Sequence, residues 1–154
     1  MNSRVERANV LAGLDTVVFA NTSYASTIAQ VGRGGPRAFS KTAGFGLEFV
    51  PVNDPGHLHV GDTLHVTVLG GGKPVPNIGI DVAPAADTTT TATPAPRLAW
   101  AALTADANGV VHVPLTKAGP WMLRSAYLSR KEGGAANEWD VSRTSYVLNV
   151  GAAH

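Results

Sequence analysis

Cysteine is absent from the 154 residues of this chain, which excludes a disulfide framework, a thiolate metal site and a cysteine nucleophile. Charge is also scarce, because only 15% of the residues are charged and 12 Lys and Arg nearly balance 11 Asp and Glu. A nucleic-acid-binding protein would carry a basic stripe, so no nucleic-acid partner is predicted. No apolar run approaches the ~20 residues that cross a bilayer, so no membrane span is predicted.

The N-terminal residues 1–13 carry charges at Arg4, Glu6 and Arg7 and contain no apolar stretch of the kind found in a secretory signal peptide. Three interpretations stay open: a cytoplasmic protein, a protein whose leader is missing from this chain, or a piece of a longer protein. We expect residues 1–14 to form a separate segment with one short amphipathic helix. Residues 15–150 are predicted to form one β domain, and residues 151–154 a tail.

Alternation of apolar and polar residues with a period of two is the dominant pattern, and it predicts β-strands. The clearest stretches are 62–69 and 110–115. Their inward-facing residues are predicted to be Leu64, Val66, Val68, Val111, Val113 and Leu115. Their outward-facing residues are predicted to be Thr63, His65, Thr67 and His112. Further strands are predicted at 16–20, 45–52, 77–82, 98–104, 121–128 and 145–150.

Glycine and proline, with 17 and 10 residues, mark the turns between these strands. Turns are predicted at 70–74, 106–109 and 117–120, and the second is interpreted as a hairpin turn with Gly109 at positive φ. Seven or eight short strands with this spacing predict an all-β sandwich or barrel, and we expect an antiparallel immunoglobulin-like β-sandwich. In that fold the strands 62–69 and 110–115 are neighbours in one sheet. Residues 87–96 are predicted to form a flexible loop.

Several segments follow one another in an order that is typical of a known bacterial family. They are 46–55 (GLEFVPVNDP), 61–64 (GDTL), 72–76 (GKPVP), 104–110 (TADANGV), 118–124 (AGPWMLR) and 139–142 (WDVS). Together they resemble the C-terminal part of the NikM-like family, a periplasmic component associated with nickel or cobalt uptake. The resemblance implies a sandwich fold, a periplasmic location and an accessory role linked to a divalent metal. Family members have an N-terminal segment that this chain lacks, so metal ligands carried there are absent here.

His57 and His59 are separated by one residue, so an extended backbone would direct both imidazoles to the same side. Such a pair can supply two ligands to zinc, nickel or copper, and the flanking Asp54 and Asp62 could complete the set. These four residues are the predicted metal site. A polar loop that happens to contain histidines explains the same residues without a metal.

A second pair, His65 and His112, would lie on the outer face of the two neighbouring strands. Cross-strand residues have β-carbons ~5 Å apart, close enough to share a metal or a proton, and two solvated side chains are the alternative. Calcium would prefer oxygen ligands. The carboxylates and amides that could supply them are Asp106, Asn108, Glu132, Glu138 and Asp140. A tight turn and a solvated loop explain these residues equally well.

The predicted function is a non-catalytic binding or accessory module for a small molecule or a metal, with its ligand contacts on loops at one end of the sandwich. The alternative is a small hydrolase that depends on calcium or zinc and acts on an ester or a lactone. No Gly-x-Ser-x-Gly motif is present, and Ser142 and Ser145 lie near Asp140 without a histidine close in sequence. Trp100, Trp121 and Trp139 are expected in or beside the core, with an aromatic platform for a ligand as the alternative. The pattern does not fix the cofactor, the substrate or the oligomeric state.

Overall fold

Nine β-strands form where the sequence is rich in alternating and β-branched residues, and the computed structural model describes them within residues 12–27, 38–84 and 98–153. The strands are β1 (Val18–Thr27), β2 (Leu47–Pro51), β3 (Thr63–Gly70), β4 (Lys73–Pro74), β5 (Gly79–Pro84), β6 (Ala101–Thr104), β7 (Val110–Pro114), β8 (Gly119–Arg130) and β9 (Glu138–Val150). Two short 3₁₀ helices, Ala38–Ser40 and Pro55–His57, interrupt the connections. In the described ranges, no helix has the length and apolar character needed to cross a membrane.

The strands form two sheets that pack as a sandwich, as the sequence predicted. The five-stranded sheet has the order β1-β9-β8-β5-β6. In the other sheet, β2 lies along one side of β3, while β7 and the short β4 lie along the opposite side. The predicted neighbours 62–69 and 110–115 are therefore β3 and β7, and they pair in antiparallel register.

The hydrophobic core lies between the sheets, because every second residue of the central strands points inward. All six residues predicted to point inward from β3 and β7 are at most 1% exposed. The opposite sheet contributes Ile80, Leu123, Tyr146 and Leu148. Full burial of an aliphatic side chain of this size stabilises the fold by roughly 1.5–3 kcal/mol. Of the residues predicted to point outward, Thr63, His65 and Thr67 are half-buried and His112 is exposed.

One pairing differs from the antiparallel arrangement of the rest. The strand β1 runs parallel to β9, in a register that extends from Val18 opposite Glu138 to Thr27 opposite Val147. The strand is longer than the predicted stretch 16–20, since its backbone continues to pair where the apolar residues end. The strands β8 and β9 are also longer than predicted, and residues 131–137 connect them.

The predicted turn at 106–109 is present, and Gly109 has a φ of +76°. The carboxylate of Asp106 accepts hydrogen bonds from the N–H groups of Asn108 at 2.8 Å and Val110 at 2.9 Å. It is not a hairpin turn, because it joins β6 of one sheet to β7 of the other. The turn at 70–74 is a two-residue connection between β3 and β4, with Gly71 and Gly72 both at positive φ.

Two predictions fall on residues that the structure does not describe. The short helix expected in residues 1–14 lies largely outside the described ranges, and the loop expected at 87–96 lies wholly outside them. In the predicted C-terminal tail, Gly151 pairs with the chain around His59. Its N–H donates to Leu58 O at 2.8 Å, and its carbonyl accepts from Val60 N at 3.1 Å.

Candidate functional site

The first part of the predicted metal site lies at a 3₁₀ turn. Asp54 caps this turn, since its Oδ1 accepts a hydrogen bond from Gly56 N at 2.9 Å, and Pro55 stands at the start of the turn. His57 ends it, with Nδ1 3.0 Å from Asp54 Oδ2. An Asp cap followed by Pro favours such a turn, because Pro needs no N–H partner there. The backbone at His57 is therefore not extended, which corrects the geometry inferred from the one-residue spacing.

The second part of that site follows the buried Leu58. His59 N donates to Asp62 Oδ2 at 2.8 Å, and the His59 ring Nδ1 lies 3.9 Å from the same oxygen. The ring also lies against Gly151, where an added Cβ would be 2.6 Å from His59 Cδ2. The structure thus arranges the four predicted residues as two separate pairs, His57 with Asp54 and His59 with Asp62.

His65 and His112 lie directly opposite one another on β3 and β7, as predicted from the alternation together with the strand order of an immunoglobulin-like sandwich. Their Nδ1 atoms are 2.6 Å apart, and their rings are nearly perpendicular, with an interplanar angle of 81°. The side chain of Asn53 holds the β3 backbone at His65. Its Oδ1 accepts a hydrogen bond from His65 N at 2.8 Å, and its Nδ2 donates one to Thr63 O at 2.9 Å. The pair is therefore held on a rigid sheet rather than on a loop.

The 2.6 Å separation is that of a short hydrogen bond, in which the Nδ1–H of one imidazole is directed at the Nδ1 lone pair of the other. Two lone pairs would repel at this distance and two N–H groups would clash, so the two rings must have complementary tautomers or exchange this proton for a metal cation. Asp106 contributes to this geometry, because its Oδ2 lies 4.0 Å from His112 Nε2. A carboxylate on that side favours the proton on Nε2 and leaves the Nδ1 lone pair directed at His65.

Asp106 is well suited to this role, since it stays ionised. The Val110 N–H is the main cause that lowers the pKa of Asp106, and the Asn108 N–H and the charge of His112 act in the same direction. Within the described ranges, no group of three or more His, Asp or Glu side chains is arranged to hold a metal. A metal between His65 and His112 would therefore take its remaining ligands from water or from a bound molecule.

Among the candidate calcium ligands, Glu138 serves a structural contact. Glu138 Oε2 lies 3.3 Å from Lys131 Nζ, so this carboxylate closes the β8–β9 turn as an ion pair. Ser142 and Ser145 belong to β9 and lie in the sheet opposite to His65 and His112, so the structure does not assemble a serine–histidine pair from them.

Two of the three tryptophans are core residues and one lies on the surface. Trp121 and Trp139 are at most 4% exposed. Trp100 lies on the outer side of the five-stranded sheet, and the Arg124 guanidinium carbon is 3.9 Å from its ring centroid. Arg124 also forms an ion pair with Asp81 at 3.2 Å. The outer face of this sheet therefore carries one aromatic side chain that is already stacked on a cation.

Sequence reasoning missed two buried polar side chains, Glu48 and Tyr146. Glu48 is 4% exposed; its Oε2 accepts from Ala43 N at 2.7 Å, and its Oε1 has no partner among the described residues. The Tyr146 hydroxyl is equally unpaired, and burial raises the pKa of this phenol. The two side chains line a cavity of about 150 Å³. In the sequence, the feature that could have indicated this site is the single carboxylate, Glu48, inside the otherwise apolar run 47–52.

Comparisons with known proteins supply a family. Searches of curated proteins and of solved structures find no match to the chain. The model of a domain of unknown function, DUF4198, matches residues 12–129. This match covers more than half of the chain, so the chain belongs to the DUF4198 family.

Proposed function

We propose that this DUF4198 domain is a non-catalytic binding module that holds a divalent transition metal between His65 and His112. The observation that carries the proposal is that the two histidines lie directly opposite one another on β3 and β7, with their Nδ1 atoms directed at each other. The resemblance of the segments between residues 46 and 142 to NikM-like proteins supports the same class of ligand, with nickel and cobalt as the metals to test first.

The geometry suits a metal that prefers imidazole. Metal–nitrogen bonds to histidine are about 2.0–2.1 Å long, so two imidazoles on one metal need nitrogens somewhat farther apart than 2.6 Å. The two side chains are free to separate by this small amount, because His112 is 56% exposed and the rings contact each other edge to face. Imidazole nitrogens favour nickel, copper and zinc over calcium.

Two protein ligands leave the remaining coordination positions open. We expect these positions to hold water or a small chelating molecule, which is the chemistry of a carrier or an accessory protein. Asp106 lies on the Nε2 side of His112, away from His65. A carboxylate in that position orients a metal-bound histidine and raises the basicity of the imidazole. The sequence-based site of His57, His59, Asp54 and Asp62 remains the competing location for the same metal.

Isothermal titration calorimetry with nickel, cobalt, zinc and copper chlorides tests the proposal. The variants are His65→Ala with His112→Ala, and as the matched control His57→Ala with His59→Ala. We expect one metal per chain, binding at least tenfold weaker in the first variant, and binding unchanged in the control. Affinity should also fall as pH falls through the histidine range, because only neutral imidazole coordinates. Loss of binding in the control variant alone would move the site to His57 and His59.

The same preparations distinguish the binding module from a hydrolase. An activated ester and a lactone are incubated with the metal-loaded protein, with and without a chelator. We expect no chelator-sensitive hydrolysis above buffer. Turnover that disappears with the chelator and in the His65/His112 variant would replace the binding function with a metal-dependent hydrolase.

A further inference from the structure

We propose that the cavity beside Glu48 and Tyr146 binds a small organic cation of the alkylammonium class, at a site separate from the histidine pair. The cavity has a volume of about 150 Å³ and lies where β1, β2 and β9 meet. Its polar lining includes Glu48 of β2, Tyr146 of β9 and Thr27 of β1. A cavity of this size accommodates a molecule of roughly six heavy atoms.

Two oxygen atoms of the residues that line the cavity are unpaired. Glu48 Oε1 and the Tyr146 hydroxyl both lie in buried side chains and have no hydrogen-bond partner among the described residues. A buried polar atom without a partner is destabilising, and a buried carboxylate is more so. Two such groups lining one cavity indicate that hydrogen-bond donors occupy it in the functional state. An ammonium group has three N–H donors, which is enough to supply one to each oxygen.

The Glu48 carboxylate gives the cavity wall a negative charge. The ion pairs of the described residues do not include Glu48, so no cationic side chain there neutralises its carboxylate. Lys41 lines the mouth of the cavity, but its side chain is exposed and forms no ion pair with Glu48. A carboxylate in the wall disfavours an anionic ligand and favours a cationic one.

Part of the remaining cavity wall is aromatic. Phe39, Phe45 and Phe49 line the cavity, and Tyr24 stacks on Phe45 with ring centroids 4.8 Å apart. Aromatic rings attract cations through their quadrupole and also bury an alkyl chain. A carboxylate, a phenol oxygen and aromatic rings together fit a short alkylammonium ion.

Nitrogen-15 NMR titrations with propylammonium chloride test the proposal, with sodium chloride at matched ionic strength as the blank. The probes that separate the contributions of charge and shape are propanol, which is neutral, and sodium propionate, which is anionic. We expect saturable shifts of the Ala43 amide, whose N–H donates to Glu48. Propylammonium should bind at least tenfold more tightly than propanol, and propionate should not bind.

Conservative variants assign the effect to individual groups. Glu48→Gln should weaken propylammonium binding at least tenfold, and Tyr146→Phe about threefold. Glu138→Gln, which removes a carboxylate of the same kind at the β8–β9 turn, is the matched control and should change nothing. Lys41→Met should leave binding equal or tighter, since it removes a like charge from the mouth.

Three outcomes would overturn the proposal. Equal affinity for propanol and propylammonium would show that the cavity takes neutral molecules or water. Propionate binding that is lost in Lys41→Met would show that the cavity takes an anion through Lys41 instead. Unchanged binding in Tyr146→Phe would remove the phenol from the site, and this variant together with the wild-type titration decides the matter even where Glu48→Gln fails to fold. None of these results bears on metal binding by His65 and His112, so the two proposals fail independently.

Discussion

Replacement of Gly109 by Ala tests how tightly the turn before β7 packs against β4. Gly109 has a φ of +76°, and a Cβ built there would lie 2.9 Å from Val75 N and 3.0 Å from Pro74 Cβ. A left-handed conformation costs a residue with a side chain about 1–2 kcal/mol. Forcing the β4 backbone to move adds an overpacking cost of about 1–3 kcal/mol. We therefore expect Gly109→Ala to lower the free energy of unfolding by about 2–4 kcal/mol, allowing for the smaller entropy of the unfolded chain.

A matched glycine separates the two contributions. Gly72 has a nearly equal φ of +79°, but a Cβ there would meet nothing within 4 Å. Gly72→Ala should therefore show only the backbone cost, about 1 kcal/mol. Urea denaturation measures both variants, and equal slopes of the unfolding free energy against urea would show that only stability has changed. Equal midpoints for the two variants would refute the reasoning, since the contact with Val75 would then have no energetic effect.

The same pair of variants connects packing with function. The turn that contains Gly109 also carries Asp106, and Gly109 O accepts a hydrogen bond from Val68 N of β3 at 2.8 Å. A displacement of this turn moves the carboxylate away from His112. Gly109→Ala should therefore weaken metal binding at the histidine pair as well, while Gly72→Ala leaves it unchanged.

Three further predictions concern burial and ionisation. Val66 is 0% exposed, so Val66→Asp should unfold the domain or lower its free energy of unfolding by several kcal/mol. Thr67→Asp, on the opposite face of β3, should have only a small effect when the two variants are compared by thermal denaturation. The pKa of Asp106 is lowered in the folded protein, so the ionised carboxylate stabilises the fold above the ordinary pKa of 3.8, and this stabilisation is lost as pH falls through the pKa of the folded state. Asp106→Asn should therefore make the free energy of unfolding depend less on pH on the acid side. The pKa of the Tyr146 phenol is raised in the folded protein, so the stabilisation that its protonated form gives is complete below the ordinary pKa of 10.0 and is lost as pH rises above that value. Tyr146→Phe should therefore unfold at a higher pH than the wild type in an alkaline titration followed by circular dichroism. An alkaline midpoint that is the same in wild type and Tyr146→Phe would contradict this account.

Period-two alternation predicted the strands and the outward faces of His65 and His112. In β3 and β7 every second side chain is buried in the core, so the face of each histidine follows from its neighbours Leu64, Val66 and Val113. That the two strands are neighbours is not local to either of them. It was predicted from the strand order of an immunoglobulin-like sandwich.

The remaining features depend on contacts that local patterns do not contain. The Asp54 cap and Pro55 favour a 3₁₀ turn at His57, and this local preference outweighed the extended geometry inferred from the His-x-His spacing. The cavity is lined by Glu48 of β2 and Tyr146 of β9, which are far apart in the sequence. Neither residue, taken alone in its strand, indicates that a cavity lies beside it. The parallel pairing of β1 is likewise a tertiary contact, since most of that strand is exposed and its alternation is weak.

The parallel β1–β9 pairing also has a consequence for the order of folding. Thr27 Oγ1 donates to Val147 O across a sequence separation of 120 residues, and almost the whole chain lies between the two strands. Contacts of such high contact order form late, because closing a long loop must precede any gain from pairing. During synthesis from the N-terminus, β1 has no partner until the last strand has left the ribosome. We therefore expect β1 to dock in the final step, onto a body that the shorter-range strands have already assembled.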